Sequence, residues 1–428
     1  MARDEEAADT LGPFRQFLSL ERDVLVLSVA MLAFSLGFQM TNQYFGLYLD
    51  ALGASALVVG LYRSFSDLVG AVYPYAGGLV SDRIGSRTAL TAFGLASSAG
   101  FLVWALAPDL AVFGLPAWAF LFLGLLLAQA WKSFGLGATF AIVKQSVPPE
   151  RLASGFASTE VFRRVGFLLG PLLAAFVVER VTPFVEGFQA VLLLAVAFGL
   201  LATFAQHRLY DPAGDSFGKS FAGLRTIRDD LLGMPDPLRP LLLGDTLVRF
   251  ANGMVYVFFS IVVAKRLGVG FEGFGVAISP AAFFGVLLGV EMTVALLTMV
   301  PVSKVAERVG LKPVVATGFL VYATFPILLI LAPPDQWVLV ALFAFSGLRF
   351  AGLPSHKALI VGPAEANAGG RVTGTYYLVR NTLVVPAGVL GGYLYGIDPV
   401  LSFGVASAVG LVGVGLFLAF GEEFAAVA

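Results

Sequence analysis

Charged side chains lie inside long apolar stretches of this sequence, where an isolated charge is expensive. Eight are cations and four are acids, namely Arg63, Lys132, Arg163, Arg164, Arg249, Arg349, Lys357 and Arg380, with Asp67, Glu160, Asp245 and Glu291. Three acids stand four residues from an arginine: Asp67 from Arg63, Glu160 from Arg164 and Asp245 from Arg249. This spacing places both groups on one face of a helix. Such pairs either neutralise each other or offer a carboxylate that exchanges protons.

Four cations have no acid at that spacing: Lys132, Arg349, Lys357 and Arg380. Lys132 and Arg349 lie near the middle of their apolar stretches. Two such cations facing one cavity would favour an anionic solute, or an anionic group on a larger solute. The alternative is that Glu291 or another acid reaches across from a different helix and forms an ion pair with one of them.

Neutral polar side chains recur at helical spacing beside these charges. An amide in an apolar helix is best satisfied by a solute, by water or by another helix. The candidates for solute binding are Gln39, Asn42, Gln43, Gln129, Lys132, Asp245, Arg249, Asn252, Tyr256, Arg349, His356, Tyr376 and Arg380. The candidates for charge pairing or ion coupling are Arg63, Asp67, Glu160, Arg164 and Glu291, and Asp245 and His356 could also carry a coupling proton.

The elements that hold these residues are apolar segments long enough to cross a membrane. Of the residues, 58% are hydrophobic, and the mean hydropathy is +0.87. A spanning helix needs about 20 mostly apolar residues. We predict spans 1 to 12 at 22–49, 56–80, 87–107, 116–146, 152–179, 183–205, 240–266, 279–303, 311–332, 336–362, 371–396 and 399–421. The fold class is therefore an all-α membrane protein with twelve transmembrane helices.

Composition also excludes several classes of function. The chain has no cysteine and two histidines, which argues against a metal site. The net charge of -1 gives no basic face for nucleic acid. No phosphate-binding glycine loop and no catalytic acid–base set is present, so we expect no cofactor and no enzyme. The expected partners are the lipid bilayer, a small solute and protons or another coupling ion, with the chain acting as a monomer.

Lysine and arginine placement predicts the orientation in the membrane. With the N-terminus inside the cell, 16 of the 27 cations fall in cytoplasmic segments and three fall outside. Both termini are therefore predicted to be cytoplasmic, in the cell membrane. The stretch 206–239 is the longest polar segment, and it predicts a linker between helical bundles at 22–205 and 240–421, with tails at 1–21 and 422–428.

The two predicted bundles resemble each other in sequence. Arg164 corresponds to Arg380, and Lys132 to Arg349, at shifts of 216 and 217 residues. Residues 82–85 correspond to 307–310 at a shift of 225, which predicts an insertion of roughly ten residues before span 8. Repeats of this kind place a solute site near the middle of the membrane, between the bundles.

The loop after span 2 reads Gly78-Leu-Val-Ser-Asp82-Arg83-Ile-Gly85-Ser-Arg87. It resembles the signature loop of the major facilitator superfamily, and a degenerate copy with Glu307 and Arg308 follows span 8. The resemblance covers essentially the whole chain. It implies that spans 1, 4, 7 and 10 line a cavity and that the loop latches the bundles in one conformation. The implied gating residues are Gly78, Asp82, Arg83, Gly85, Arg87, Glu150, Glu307 and Arg308.

The resemblance implies a secondary transporter that works by alternating access. Gly166, Gly170 and Pro171 in span 5 resemble an element of the family's antiporters, which favours proton-coupled efflux. Span 1 lacks the acid that drug–proton antiporters often carry, which argues against cationic drugs. The alternatives are an uptake symporter or facilitator for a sugar or organic acid, and a membrane receptor or scaffold that does not transport.

Overall fold

The computed structural model describes residues 22–111, 114–132, 152–209, 233–361 and 369–423. In its first half, the helices are Arg22–Asn42 and Phe45–Ala51 (span 1), Ala56–Ile84 (span 2), Ser86–Leu110 (span 3), Ala117–Ala130 (span 4), Leu152–Arg180 (span 5) and Phe184–Leu209 (span 6). Each of these helices begins or ends within a few residues of the predicted boundary, except that residues 133–146 of span 4 lie outside the described residues.

The second half has six further spans and one small sheet. Span 7 consists of four consecutive helical segments, Leu238–Val255, Tyr256–Phe258, Phe259–Ile261 and Val262–Leu267, and is followed by strands β1 (Phe271–Gly273) and β2 (Val276–Ile278). Spans 8, 9 and 12 are the single helices Pro280–Val309, Leu311–Ile330 and Pro399–Phe420. Span 10 consists of Gln336–Gly347, Leu348–Phe350 and Leu353–Val361, and span 11 consists of Gly369–Val384 and Ala387–Ile397. The strands lie at the insertion that the repeat predicted before span 8.

Among the described residues, eight helices are long and apolar enough to cross a membrane. Span 4 is described as a shorter apolar helix over Ala117–Ala130. A backbone surrounded by lipid must satisfy its own hydrogen bonds, and an α-helix does this within a single segment. The chain is therefore a multi-pass helical membrane protein, as its composition predicted.

Several spans begin at a residue that satisfies the free backbone N–H groups of the first turn. Asp335 accepts hydrogen bonds from the N–H groups of Trp337 and Val338 at the start of span 10. Asp398 accepts one from the N–H of Val400 at the start of span 12. These aspartates are N-cap residues, and they fix where each helix begins.

The described residues group into two compact units, which we describe separately. The first consists of residues 1–42, 72–173 and 188–221. Its interior holds Phe34 stacked on Trp131, with ring centroids 4.1 Å apart. Gly100 and Gly124 let spans 3 and 4 approach closely, because a Cβ at either position would overlap the facing helix.

The second unit consists of residues 43–71, 174–187 and 222–428. Its largest fully buried side chains include Tyr376, Phe258 and Phe403. The end of span 1, the first part of span 2, the end of span 5 and the start of span 6 belong to this unit together with spans 7 to 12. The predicted linker at 206–239 remains a prediction, because residues 210–232 lie outside the described residues.

Candidate functional site

A fully buried carboxylate, that of Asp245 in span 7, is held by groups from three spans. Its Oδ2 accepts hydrogen bonds from Nη1 of Arg380 at 2.9 Å and from the hydroxyl of Tyr376 at 3.1 Å. Its Oδ1 accepts one from Nε of Arg249 at 3.3 Å. Nε2 of His356 lies 3.3 Å from Oδ2. Spans 7, 10 and 11 therefore meet at one acid.

Helical periodicity explains how two of these spans present their side chains. Asp245 and Arg249 are one turn apart in span 7, and Tyr376 and Arg380 are one turn apart in span 11. Residues four apart lie on one helix face, so each span offers two groups to the same point. Asn252 continues the face in span 7, and its Oδ1 is buried without a hydrogen-bond partner among the described residues.

A second buried ion pair joins span 10 to span 8. Nη2 of Arg349 lies 2.6 Å from Oε1 of Glu291, and both side chains are at most 5% exposed. The hydroxyl of Ser346 donates to the same oxygen at 2.5 Å. Glu291 therefore does reach across to Arg349, which is one of the two alternatives that the sequence left open.

Aromatic rings surround the Arg349 guanidinium. Its Cζ lies 4.8 Å from the ring centroid of Phe350, 5.0 Å from Tyr322, and 5.7 Å from Tyr256 and from Phe325. The negative faces of such rings stabilise a cation in a low-dielectric interior. Arg349 is thus an enclosed cation with a charge partner, and its role in solute binding remains a prediction.

Tyr322 in span 9 connects the two ion pairs. Its hydroxyl accepts a hydrogen bond from Nη1 of Arg249 at 3.0 Å, and the Arg249 Cζ lies 4.7 Å from its ring centroid. We call the connected set the charge network: Asp245, Arg249, Glu291, Tyr322, Arg349, His356, Tyr376 and Arg380. Sequence reasoning missed Tyr322, because a single tyrosine among apolar residues gives no periodic signal.

The charge network contains three arginines and two carboxylates. Arg349 is neutralised by Glu291, whereas Arg249 and Arg380 share Asp245. A small cavity of about 10 Å³, room for roughly one water molecule, lies beside the network. Its polar lining residues are Arg249, Tyr322, Arg349 and His356. The network therefore carries one positive charge that no carboxylate within it neutralises.

The end of span 1 and span 2 contribute further polar groups to the same unit. Nε2 of Gln43 donates a hydrogen bond to the Tyr256 hydroxyl at 2.5 Å. Arg63 and Asp67 form a bidentate pair, with Nη2 to Oδ1 at 2.9 Å and Nε to Oδ2 at 3.0 Å. This pair is partly exposed, and it has the local neutralisation that its spacing of four residues allowed.

The remaining solute-binding candidates belong to the first unit. Gln129 is buried in span 4, and Lys132 is exposed, with Nζ 5.8 Å from the ring centroid of Phe38. Gln39 is half-buried in span 1 and Asn42 is exposed. Their role in binding remains a prediction.

The gating loop is described in part. Gly85 has a φ of 79° at the start of span 3, and Gly310, its counterpart in the repeat, has a φ of 94° at the start of span 9. This left-handed backbone suits glycine, as the tight turn required. Nε of Arg87 donates to the carbonyl oxygen of His207 at 2.7 Å. Glu307 and Arg308 are exposed.

Some predicted residues fall outside what the structure describes. Glu150 lies in an undescribed stretch, and the side chains of Asp82, Arg83, Glu160 and Arg164 are likewise not described, although Gly78 lies within the helix Ala56–Ile84. An unpredicted group appears at the second copy of the loop. The Glu423 carboxylate accepts hydrogen bonds from the N–H groups of Leu311 and Lys312 at 2.6 and 2.8 Å.

With a buried charge network inside a multi-span helical fold, the chain has the features of a membrane carrier. The family model described as "Major Facilitator Superfamily" matches residues 27–290, and the chain belongs to this family. It is therefore a membrane transporter of the major facilitator type.

Similar proteins agree with this assignment. An uncharacterized MFS-type transporter of Methanocaldococcus jannaschii is 21% identical over 408 residues, covering 94% of this chain and 95% of that protein. A crystal structure of the nucleoside transporter NupG (D323A mutant) matches with a TM-score of 0.72 at 14% identity, covering 93% of this chain and all of that one. A POT family transporter in complex with 5-aminolevulinic acid matches with a TM-score of 0.73 at 14% identity, covering 95% and 99%. The two structural likenesses concern the fold.

Proposed function

We propose that the chain is a proton-coupled secondary transporter of a small solute that carries an anionic group. The observation that carries this proposal is the sharing of one fully buried carboxylate, Asp245, by Arg249 and Arg380. The chain then acts as a transporter and not as an enzyme, as a monomer in the cell membrane with both termini in the cytoplasm.

The charge balance argues for an anionic group. A buried cation without a counter-charge is strongly unfavourable. The side chains of Arg249 and Arg380 are 24% and 14% exposed, so neither side chain is fully enclosed. A carboxylate or phosphate group on the solute would supply the missing negative charge, and it could accept two hydrogen bonds from one guanidinium.

The same arrangement supports proton coupling. When Asp245 binds a proton, it loses its negative charge, and Arg249 and Arg380 become free to bind an anion. Proton and solute therefore favour each other's binding, and this coupling is reciprocal. A carrier with such a site moves both in the same direction, so the geometry favours co-transport, with uptake of an organic acid as the physiological direction.

Proton-coupled efflux is the second candidate, because of one specific observation in span 5. Gly166 and Gly170 pack directly against span 1, where a Cβ would come within 2.5 Å of the Ser35 Oγ and 2.7 Å of the Gln39 Cβ. Small residues at such positions let membrane helices approach closely, which supports the resemblance of this segment to the antiporter element. Antiport would need proton and solute to compete for one site, and an anionic solute at the charge network would not compete with a proton.

The solute class can be tested in proteoliposomes with an imposed pH gradient. A panel of small carboxylates, phosphates, sugars and organic cations is offered to the native chain and to the Arg380→Ala variant. We expect uptake of an anionic compound, and a rise in its KM of at least tenfold in Arg380→Ala. Arg249 remains beside Asp245 in this variant, so the acid keeps a charge partner.

Two comparison variants make the result specific. Arg208→Ala removes an exposed arginine at the end of span 6 and should leave the KM unchanged. Lys132→Ala tests another cation that the sequence singled out. Preference for a cation or a neutral sugar by the native chain, or an unchanged KM in Arg380→Ala, would contradict the proposal.

A further inference from the structure

A β-hairpin lies between span 7, which ends at Leu267, and span 8, which begins at Pro280. Strand β1 pairs with β2 in antiparallel fashion, with Phe271 opposite Ile278. The charge network does not include this segment. The hairpin is the insertion that the unequal repeat shifts predicted, so it interrupts the repeat and has no counterpart at the corresponding position in the first half.

The tip of the hairpin places a phenyl ring in an unusual position. Phe274 and Gly275 have φ values of 52° and 77°, so both central residues of the turn are left-handed. Such turns usually contain Asn-Gly or Asp-Gly, and a bulky residue at the first position is strained. The Phe274 side chain is also 90% exposed. Strain and exposure together indicate that the ring serves a contact outside the chain.

The hairpin has two chemically different faces. Side chains alternate along a strand, so Phe271, Val276 and Ile278 share one face, and Glu272 and Ala277 share the other. Val276 is 54% exposed, and Glu272 is also exposed. Val276 and Phe274 at the tip thus form one exposed apolar edge, while a carboxylate marks the opposite face. Phe271 is half-buried, and its ring lies 5.8 Å from that of the buried Phe283.

Contacts with span 10 fix the position of the hairpin. The side chain of Gln336, the first residue of that span, accepts a hydrogen bond from the Glu272 N–H at 2.8 Å and donates one to the Glu272 carbonyl oxygen at 3.0 Å. The Phe271 ring lies 5.7 Å from that of Trp337, which is 53% exposed, and 6.4 Å from that of Phe274. The hairpin is therefore held where spans 7, 8 and 10 reach the membrane surface.

We propose that this hairpin anchors the protein at the membrane interface, and that its exposed apolar edge is covered by lipid. Phe274 and Val276 would insert at the boundary between headgroups and acyl chains, beside Trp337, with Glu272 facing water. Aromatic residues are enriched at that boundary. The apolar edge is continuous with the ends of three membrane spans, which makes lipid a better occupant than a soluble partner.

The absence of cysteine from the chain allows a direct test, because any introduced cysteine can be labelled specifically. Nitroxide-labelled Val276→Cys and Glu272→Cys are reconstituted in phosphatidylcholine vesicles. Power saturation then compares accessibility to oxygen, which concentrates in lipid, with accessibility to a water-soluble nickel chelate. We expect the oxygen-to-nickel ratio to be at least threefold higher at position 276 than at position 272.

A second variant tests the role of the ring without disrupting the turn. Phe274→Asn places a residue that tolerates left-handed backbone at the tip, and Phe274→Trp keeps an aromatic ring. In the Val276→Cys background, Phe274→Asn should lower the oxygen-to-nickel ratio at least twofold, and Phe274→Trp should preserve it.

Three outcomes would overturn the anchor. Equal nickel accessibility at positions 276 and 272 would place the edge in water. Low accessibility of position 276 to both reagents would indicate a protein partner or a second copy of the chain. An unchanged ratio in Phe274→Asn would show that the ring does not hold the edge in lipid. These readouts do not depend on transport, so they are independent of the proposed function.

Discussion

The side chains of Arg349 and Glu291 form an ion pair in which both partners are buried. Removal of one partner would therefore leave the charge of the other uncompensated in the interior. Glu291→Gln should destabilise the protein by about 3–5 kcal/mol, as expected when one partner of a buried pair is removed. Thermal unfolding in detergent measures this loss. A Glu291→Met/Arg349→Met double variant should recover much of the stability, because it removes both charges.

The pair of Arg63 and Asp67 is a suitable comparison, because its side chains are 26% and 20% exposed. Asp67→Asn should lower stability by about 1 kcal/mol or less, since partly hydrated ion pairs contribute little. A loss in Asp67→Asn as large as that in Glu291→Gln would show that burial is not the reason for the difference.

At the residue scale, sequence reasoning predicted contacts within a helix more fully than contacts between helices. The spacing of four residues predicted that Asp245 and Arg249 share a face, and they form an ion pair. The sequence could not predict that Arg380 and His356 reach the same acid, because that depends on how spans 10 and 11 pack against span 7. For Arg349 the sequence left two partners open, an anionic solute or an acid from another helix. The packing of span 8 against span 10 shows that Glu291 is an ion-pair partner.

Close helix packing in span 2 gives a prediction at the scale of the element. A Cβ at Gly60 would overlap the carbonyl oxygen of Gly388 in span 11 and come 2.8 Å from the Cα of Gly392. Backbone atoms cannot move aside as a flexible side chain can, so Gly60→Ala should cost about 1–3 kcal/mol. Gly70→Ala in the same span is the control, because a Cβ there meets nothing within 4 Å. Similar melting temperatures for the two variants would contradict this packing.

The capping of span 9 by Glu423 is a second element-scale prediction. The carboxylate accepts hydrogen bonds from two N–H groups of the first turn. Its negative charge is also stabilised by the positive N-terminal end of the helix dipole. Glu423→Ala should lower stability by about 1 kcal/mol, as measured by thermal unfolding. The neighbouring exposed residue gives the control, and Glu422→Ala should have no effect. Equal losses in both variants would argue against the cap.

Elements themselves were predictable to different degrees. Long apolar runs located the helices, because about 20 apolar residues are needed to cross the membrane. The breaks within spans 7, 10 and 11 were not predicted, since local changes of helix type leave the apolar pattern intact. The insertion before span 8 was expected from the repeat shift, but its two strands of three residues were too short to show an alternating pattern.

At the scale of the whole molecule, orientation remains a prediction that the absence of cysteine makes easy to test. Both termini should face the cytoplasm, because that topology puts 16 cations in predicted cytoplasmic segments and only three in predicted external ones. A cysteine at Glu272 should therefore react with a membrane-impermeant maleimide added outside intact cells, and a cysteine at Glu422 should not. The reverse pattern would invert the topology.

The central claim is that Asp245 carries the coupling proton for an anionic solute. The most direct measurement is solute-driven proton movement into proteoliposomes loaded with a pH-sensitive dye, comparing the native chain with Asp245→Asn. For the native chain we expect the solute to drive acidification of the interior, at a rate that rises as the external pH falls. Asp245→Asn should still exchange labelled solute across the membrane but move no protons with it. The same number of protons per solute in Asp245→Asn as in the native chain would contradict the account.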